Sequence, residues 1–348
     1  MKSIVNKKRL TTEEKINLIT NKHNLSFDLI LELVYSESNH NEDVDISASN
    51  MYDTVRQTIF GFRYPELRFA KDVLDTITLA TSQGNYRHAW IERAWKDEAT
   101  VRLALKLDNI NPDMYTAMVF NPEGEVPKGK IPVYVEHPLP IHNINGIIVG
   151  GTPDLIFNGM VKDYKTTSPF SLTYKDSIER YRMQMSSYRW QAPHIITKDT
   201  GTLNMRYPAW NFYESQKIPS YPEHPMETYP LELIPYDVMN DYIDKKPKSI
   251  IANLDVSDSA LPPCPENKLG INKKYKTYSS IDNYNEGKRA GRTFDDKEEA
   301  LNHTRTMKSG ALVEFTESPS LCKFCSFTSV CNQFLLINKT NEEVLKVW

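Results

Sequence analysis

The sequence predicts an α/β protein, because segments with the period of strands alternate with segments that have the period of helices. The clearest strand signal is two apolar, β-favouring runs at residues 146–157 and 160–164, which flank Asn158 and Gly159. Asn-Gly is the strongest short hairpin signal, since both positions of a type I′ turn need φ > 0. The clearest helix signal is the capping box at residues 11–14, which is followed by apolar residues at helical spacing.

The other elements follow in chain order. Helices are expected at residues 11–37, over most of 47–107 with breaks near 64–65 and 82–84, and at 174–192, about 235–244 and 294–309. Strands are expected at residues 131–138, 146–157, 160–166 and 201–213. Residues 214–235 contain five prolines among polar residues, so an irregular excursion is expected there.

The composition is that of a soluble globular protein, with 348 residues, 40% hydrophobic and 25% charged. The net charge of −3 gives no global sign of nucleic-acid binding, but a local basic groove is compatible with it. No run approaches about 18 apolar residues, and the N-terminus lacks the apolar core of a signal peptide. We therefore expect a cytoplasmic protein without a membrane partner, whose cysteines are ligands or free thiols rather than disulfides.

The hairpin brings two aspartates face to face. If its loop is two residues long, Phe157 pairs with Met160 and Asp154 lies opposite Asp163. Directly opposed Cβ atoms are roughly 4.5–5.5 Å apart, and like charges there are destabilising. A hard cation such as Mg²⁺ or Mn²⁺ between the carboxylates would explain the pair. Lys165 projects from the same face, and two acids with a lysine around a metal form a phosphodiester-cleaving constellation.

Five further side chains are candidates near this centre, and four of them have a purely structural alternative. Gln184 and Tyr188 share one helical face and could contact DNA, or they are incidental polar residues of an amphipathic helix. His88 could ligate a metal or be a structural histidine, and Glu92 lies on the same helical face. Glu136 could reach the metal or orient a water, or be an exposed strand residue.

The four cysteines form the second strong pattern. Cys322, Cys325 and Cys331 have Cys-x2-Cys-x5-Cys spacing, and Cys264 would complete a set of four thiolates. Such a set favours Zn²⁺ or an iron–sulfur cluster, and spacing alone does not choose between them. Two alternatives remain: His303 replaces Cys264 as the fourth ligand, which favours zinc, or the cysteines are reduced core residues.

A basic segment precedes the cysteine pattern. Residues 268–292 contain seven lysines and arginines against two acids, with three tyrosines interleaved. Basic and aromatic side chains together are typical of a channel for single-stranded nucleic acid. The alternative is a solvated loop.

Three of these segments together resemble the RecB-like branch of the PD-(D/E)XK nuclease superfamily: Gly-Thr-Pro-Asp154, Val-Lys-Asp163-Tyr-Lys165-Thr and Gln184-x3-Tyr188. Gly84-x3-His88 is similar to the upstream metal-ligand motif of that family, and Glu136 lies where an acid often precedes the hairpin. The terminal cysteines are similar to the iron–sulfur staple of AddB and of CRISPR-associated RecB-like exonucleases. In those relatives the first cysteine usually precedes the nuclease core, whereas Cys264 follows it.

The resemblance implies a PD-(D/E)XK core with a central mixed β-sheet flanked by helices. The chain would then comprise an N-terminal helical extension (1–45), the nuclease core (46–213), an irregular insertion with the basic segment (214–310) and a cysteine-stapled C-terminal segment (311–348).

The resemblance also implies roles for individual residues. His88, Asp154, Asp163 and the backbone carbonyl of Tyr164 would bind Mg²⁺ or Mn²⁺. Lys165 would position or deprotonate the attacking water, and Gln184 and Tyr188 would hold the substrate strand. Cys264, Cys322, Cys325 and Cys331 would hold a structural 4Fe-4S cluster, with zinc as the alternative.

The function expected from this pattern is a metal-dependent DNA exonuclease acting on single strands or duplex ends in recombination, repair or replication. A helicase or recombinase is the expected partner, and a virally encoded enzyme would act in the host cytoplasm. The alternatives are a structure-specific endonuclease of the same fold, or a non-catalytic DNA-binding or assembly protein with a structural zinc site.

Overall fold

The computed structural model describes residues 3–5, 7–27, 29–30, 43–72, 76–171, 175–270, 273–307, 309–316, 319–339 and 342–347. The chain divides into two compact units, the first made of Met1–Asp53 and Gly61–Leu254 and the second of Thr54–Phe60 and Asp255–Trp348. This division differs from the expected one, because residues 255–310 group with the C-terminal segment. The physical reason is that a strand before position 310 pairs with a strand after it.

The centre of the first unit is a six-stranded mixed sheet, as predicted. Its strand order is β11-β10-β9-β8-β5-β4, with parallel pairing of β9 with β10 and of β4 with β5 and antiparallel pairing elsewhere. The strands are β4 (Met118–Phe120), β5 (Ile131–Val135), β8 (Leu155–Phe157), β9 (Met160–Thr166), β10 (Thr200–Arg206) and β11 (Met226–Glu232). Two smaller sheets pair β1 (Ile19–Thr20) with β3 (Lys71–Asp72), and join β2 (Ile46–Ser47), β7 (Ile147–Gly150) and β6 (His142–Ile144).

Helices cover both faces of the six-stranded sheet. The helices up to residue 254 are α1 (Thr12–Asn17), α2 (Val55–Arg63), α3 (Thr76–Lys96), α4 (Glu98–Leu107), α5 (Lys175–Gln191), α6 (Phe212–Ser215) and α7 (Tyr236–Ile251). On one face, Met185 of α5 packs in a buried cluster with Leu203 of β10. On the other, Leu105 of α4 packs with Val133 of β5. No helix in the described part of the chain is both long and apolar enough to cross a membrane.

Some elements differ from the sequence-based expectation. Helix α3 runs through residues 82–84 without a break, because a single glycine weakens a helix but does not end it. The expected strand at 146–157 is divided into β7 and β8, and the strand expected to reach 213 ends at Arg206, two residues before Pro208. In the region expected to be helical at 11–37, α1 gives way to β1, and residues 31–42 lie outside the described residues.

The second unit contains a four-stranded antiparallel sheet of order β13-β12-β14-β15. Its strands are β12 (Lys273–Tyr278), β13 (Arg292–Phe294), β14 (Ala311–Thr316) and β15 (Glu342–Val347), and its helices beyond α2 are α8 (Glu266–Leu269), α9 (Ile281–Asn285), α10 (Lys297–Arg305), α11 (Ser320–Lys323) and α12 (Asn332–Lys339). Because β12 pairs with β14, residues on the two sides of position 310 belong to one sheet.

Residues 214–310 contain helices α7 and α10, which were expected near residues 235–244 and 294–309, and strands β11 and β12, which were not expected. The excursion expected to be irregular at residues 214–235 therefore includes a strand, although three of its five prolines precede β11 and Pro230 lies within it. Strand β11 is at the edge of its sheet, where proline is tolerated.

Candidate metal centre and cysteine site

The hairpin that carries the two aspartates has the predicted register. Ile156 pairs with Val161, and both turn residues have positive φ, at 48° and 79°. Continuing this register by one residue places Asp154 beside Asp163. The turn chemistry and the two-residue side-chain period therefore fix the relative positions of the carboxylates.

Three potential ligands from separate elements converge at the start of β8. His88 of α3 lies with Nδ1 3.2 Å from Glu136 Oε1 and 3.4 Å from Asp154 Oδ1. One ligand atom from each of the three residues lies within 4.8 Å of the others. Asp154 Oδ2 also accepts a 2.6 Å hydrogen bond from the backbone N–H of Tyr164, which holds the carboxylate in place.

Glu136 belongs to this cluster, whereas Glu92 does not. The backbone of Glu136 has φ 44°, a region that L-residues rarely adopt, and its N–H donates to the Asp154 carbonyl at 3.1 Å. Backbone strain of this kind is concentrated at functional sites. Glu92 instead accepts from Lys96 one turn further along α3, at 2.6 Å.

A second set of contacts holds Asp163, which is 1% exposed. The Lys165 ammonium lies 2.8 Å from Asp163 Oδ2, and the Gln184 amide donates to Asp163 Oδ1 at 3.2 Å. The same amide donates to the Tyr188 hydroxyl at 3.0 Å, and that hydroxyl donates to the Thr152 carbonyl at 3.1 Å. The helix residues expected near the metal are thus hydrogen-bonded to the hairpin.

Gly151 allows the ring of Tyr188 to approach the backbone. A Cβ at this position would lie 2.7 Å from Tyr188 Cε1 and 2.9 Å from the Cβ of Ala48. Only glycine therefore fits while Tyr188 keeps its place. The sequence places Gly151 in the Gly-Thr-Pro-Asp segment but does not reveal this packing role.

Arg87 is a site residue that sequence analysis missed. It is 4% exposed, and its Nη1 donates to the carbonyl of Lys165 at 2.7 Å. Its guanidinium carbon lies 5.4 Å from the centre of the Tyr164 ring. A buried arginine beside β9 has one sequence signal, which is its position next to His88.

Burial and like charge shape the electrostatics of the centre. Burial, and then the charge of Asp163, raise the pKa of Asp154 to about 7. Burial alone would lower the pKa of His88, but the hydrogen bond to Glu136 and the charge of Asp154 outweigh it, so that pKa is raised. Burial would also lower the pKa of Lys165, but Asp163 and Asp154 raise it well above its usual value.

These residues fit a hard divalent cation. The donor set is carboxylate oxygens and one imidazole nitrogen, which suits Mg²⁺ or Mn²⁺. The raised pKa of Asp154 marks a carboxylate that lacks a sufficient counter-charge, which a cation would supply. His88, Glu136 and Asp154 form the compact group, and Asp163 lies beside them on the hairpin.

The second unit contains the cysteine site. All four cysteines line one small cavity of about 20 Å³, together with the aromatic rings of Phe60 and Phe327 among others. Cys264 and Cys331 are buried, and Cys322 and Cys325 are half-buried. The lining contains no acidic residue, and every lining residue is in the described part of the chain.

Thr54, which precedes α2, Arg56 of α2 and Gln333 of α12 make hydrogen bonds to the cysteines. The Thr54 hydroxyl lies 3.3 Å from Cys264 Sγ, and the Arg56 guanidinium donates to Cys331 Sγ at 4.0 Å. Gln333 accepts from the Cys264 N–H at 2.8 Å and donates to its carbonyl at 3.1 Å. Burial raises the pKa of Cys322 to about 12, so this thiol is protonated unless a metal binds it.

Cys264, rather than His303, is the fourth member of this site. The His303 imidazole lies 3.2 Å from the Thr277 hydroxyl and stacks near Phe294, with ring centres 5.1 Å apart. Cys264 lines the cavity with the other three cysteines although it is distant from them in sequence. Four thiols around one cavity are the kind of soft ligands that Zn²⁺ or an iron–sulfur cluster takes.

No family model matches this chain, and no curated protein matches its sequence. The solved structures that are similar to it include SSO0001 (15% identity, TM-score 0.38, covering 70% of this chain and 98% of that one). They also include an alkaline exonuclease, LHK-Exo, from Laribacter hongkongensis (12%, 0.30, 60% and 87%), and a phage-related exonuclease from Haemophilus somnus 129PT (12%, 0.32, 60% and 93%). Because the identities and TM-scores are low, these likenesses carry no argument about function.

Proposed function

We propose that the chain is a metal-dependent deoxyribonuclease that acts as an exonuclease on single-stranded DNA or duplex ends. One observation carries this proposal: His88, Glu136 and Asp154 offer ligand atoms within 4.8 Å of one another, beside the Asp163–Lys165 ion pair. A carboxylate-rich cation site with an adjacent lysine is suited to phosphodiester hydrolysis. The sequence motifs of the RecB-like nucleases fall on the same residues.

In this proposal His88, Asp154 and Asp163 hold Mg²⁺ or Mn²⁺, with the carbonyl of Tyr164 as a further ligand. Glu136 adds a carboxylate that binds the ion or orients a water. When bound, the cation lowers the pKa of a water molecule and polarises the scissile phosphate.

Lys165 acts as a cation at the reacting phosphate. Its raised pKa keeps it protonated at neutral pH, which favours charge stabilisation over proton abstraction. Its side chain is 22% exposed, so it is reachable from solvent although it is paired with the buried Asp163. Gln184 and Tyr188 fix the carboxylate of Asp163 and the backbone at Thr152, and we assign them a positioning role toward the substrate strand.

The test is cleavage of single-stranded and duplex DNA labelled at the 5′ or the 3′ end, with Mn²⁺ or with EDTA. We expect Mn²⁺-dependent shortening from one labelled end, and loss of cleavage in Asp163→Asn. A matched control is Asp113→Asn, an exposed acid paired with Arg102 on α4. Internal cutting of a circular single strand would favour the endonuclease alternative, and absence of any cleavage would favour a non-catalytic DNA-binding protein.

We also propose that Cys264, Cys322, Cys325 and Cys331 hold a structural 4Fe-4S cluster. The common cavity and the cation Arg56, which offsets the charge of four thiolates, support this proposal. Anaerobically purified protein should be brown and contain iron and sulfide in equal amounts. A colourless protein with one zinc per chain would contradict the cluster and support the zinc alternative. A helicase or recombinase partner stays a prediction.

A further inference from the structure

A groove separate from the metal-ligand cluster lies along the exposed face of α3 in the first unit. It has a volume of about 680 Å³. Thr166 and Arg206, the last residues of β9 and β10, also line it. These two residues are partners in the parallel pairing of the strands. The groove is therefore built on the strand that carries Asp163 and Lys165.

Two aromatic side chains are presented in this groove. Tyr86 and Trp90 are four residues apart and share one face of α3, and Arg93 follows after three more. Trp90 is 66% exposed and Tyr86 is 38% exposed. His88 lies on a different face of the same helix, directed to the carboxylates. The two rings thus lie on a different face of α3 from His88, and part of each side chain is exposed to solvent.

The other prominent side chains of the groove are cationic. Arg93 and Arg206 are exposed, and Arg87 is buried with its guanidinium bonded to the Lys165 carbonyl. None of the residues lining the groove, all of which are described, is acidic. A ligand that matches this surface is a polyanion with flat rings. Single-stranded nucleic acid has both properties, because its phosphates bind arginine and its bases stack on aromatic rings.

We propose that this groove holds the single-stranded part of the DNA substrate, with a base stacked on Trp90 and backbone phosphates bound by Arg93 and Arg206. The proposal rests on the nuclease function proposed above, because it identifies the substrate path of the same centre. Arg87 links the two, since it contacts both the groove and the backbone of Lys165. A nucleic-acid strand in the groove would lie beside β9, the β-strand that carries Asp163 and Lys165.

The test is equilibrium binding of a fluorescent oligo-dT to the Asp163→Asn protein, in which binding is separated from cleavage. Trp90→Ala should weaken binding by about 5- to 150-fold, the range of base–aromatic stacking, and Trp90→Phe should restore most of it. Arg206→Ala should reduce the slope of log affinity against log salt by about 0.7, as expected for one lost phosphate contact to a single strand. Trp90→Ala should leave that slope unchanged.

Matched controls are Tyr213→Ala, which removes a ring that is 72% exposed elsewhere in the unit, and Lys106→Ala, which removes an exposed cation of α4. Neither should change affinity or slope. Unchanged binding in both Trp90→Ala and Arg206→Ala would overturn the groove, even if the wild-type protein cleaves DNA. If the wild-type protein does not cleave DNA but its binding still depends on Trp90, the proposed binding groove is retained and the proposed nuclease function is overturned.

Discussion

The carboxylate centre and the cysteine site both bring together ligand side chains from distant parts of the sequence. They differ in the chemical hardness of their ligand atoms and in how exposed those side chains are to solvent. At the carboxylate centre, the side chains of His88, Glu136 and Lys165 are 31%, 25% and 22% exposed around the buried Asp163. At the cysteine site, aromatic rings close a cavity of about 20 Å³. Catalytic metal sites keep an open position and structural sites are closed. The difference agrees with the proposed chemistry at the first site and the proposed stabilisation at the second.

The largest expected effect tests the chemical side of this comparison. Lys165→Gln should reduce the cleavage rate on the order of 10²- to 10³-fold, because it removes a cation aimed at the reacting phosphate. Lys162→Gln on the same strand is the matched control, since Lys162 lies on the opposite face with its ammonium 5.6 Å from the centre of the Phe157 ring. Initial rates on end-labelled DNA measure both. Equal rates for the two variants would remove Lys165 from the mechanism.

The next effect tests the structural side. Cys331→Ser should lower Tm by about 5 °C or more, because the buried thiol is lost together with the metal or cluster that it holds. We expect the variant to keep Mn²⁺-dependent cleavage below its lowered Tm. Thermal unfolding and metal content are the measurements. A variant with unchanged Tm and full iron or zinc content would show that Cys331 is not a ligand.

A smaller effect tests how tightly the carboxylate centre is packed. Gly151→Ala should reduce the cleavage rate about 10-fold, because its Cβ would displace the Tyr188 ring that is bonded to Gln184 and Thr152. Gly84→Ala is the control, because nothing lies within 4 Å of its Cβ position in α3. Gly84→Ala should raise stability by about 0.4–1 kcal/mol. Cleavage by Gly151→Ala at the wild-type rate would contradict the role of Tyr188.

The smallest effect concerns pH. The folded-state pKa of Asp154, about 7, lies above its ordinary value of 3.8, so the metal-free native state binds more protons than the unfolded chain between these values. Ionisation of Asp154 should therefore lower the free energy of unfolding of the metal-free protein as pH rises from about 4 to 7. A bound cation favours the ionised carboxylate, so the rise in Tm on adding Mn²⁺ should grow between pH 5.5 and 8. A pH-independent rise would contradict this, and Asp154→Asn provides the control.

Local rules predicted much of the carboxylate centre. The register of the hairpin follows from its Asn-Gly turn and the two-residue period, and α5 begins and ends within one residue of its prediction. The long-range contacts could not be predicted. Arg87 bonds to Lys165 and Gly151 makes room for Tyr188, and neither contact leaves a periodic pattern in the sequence.

The basic segment shows why one pattern can have two interpretations. The cations and tyrosines of residues 268–292 are typical of a channel for single-stranded nucleic acid, and that channel stays a prediction. In the structure residues 273–278 form β12, and Tyr275 and Tyr278 are 9% and 6% exposed in two separate buried clusters of the second unit, so these two tyrosines are also core residues. Exposed rings that lie beside arginines are present on α3, where Tyr86 and Trp90 are four residues apart and flank His88.

The most direct test of the account is Mn²⁺ binding, measured by electron paramagnetic resonance or calorimetry in three proteins. Wild-type protein should bind Mn²⁺, Asp154→Asn should lose this binding, and Glu92→Gln should retain it, because Glu92 is paired with Lys96 outside the cluster. No binding by the wild type, or equal binding by Asp154→Asn, would contradict a metal centre at the Asp154–Asp163 hairpin.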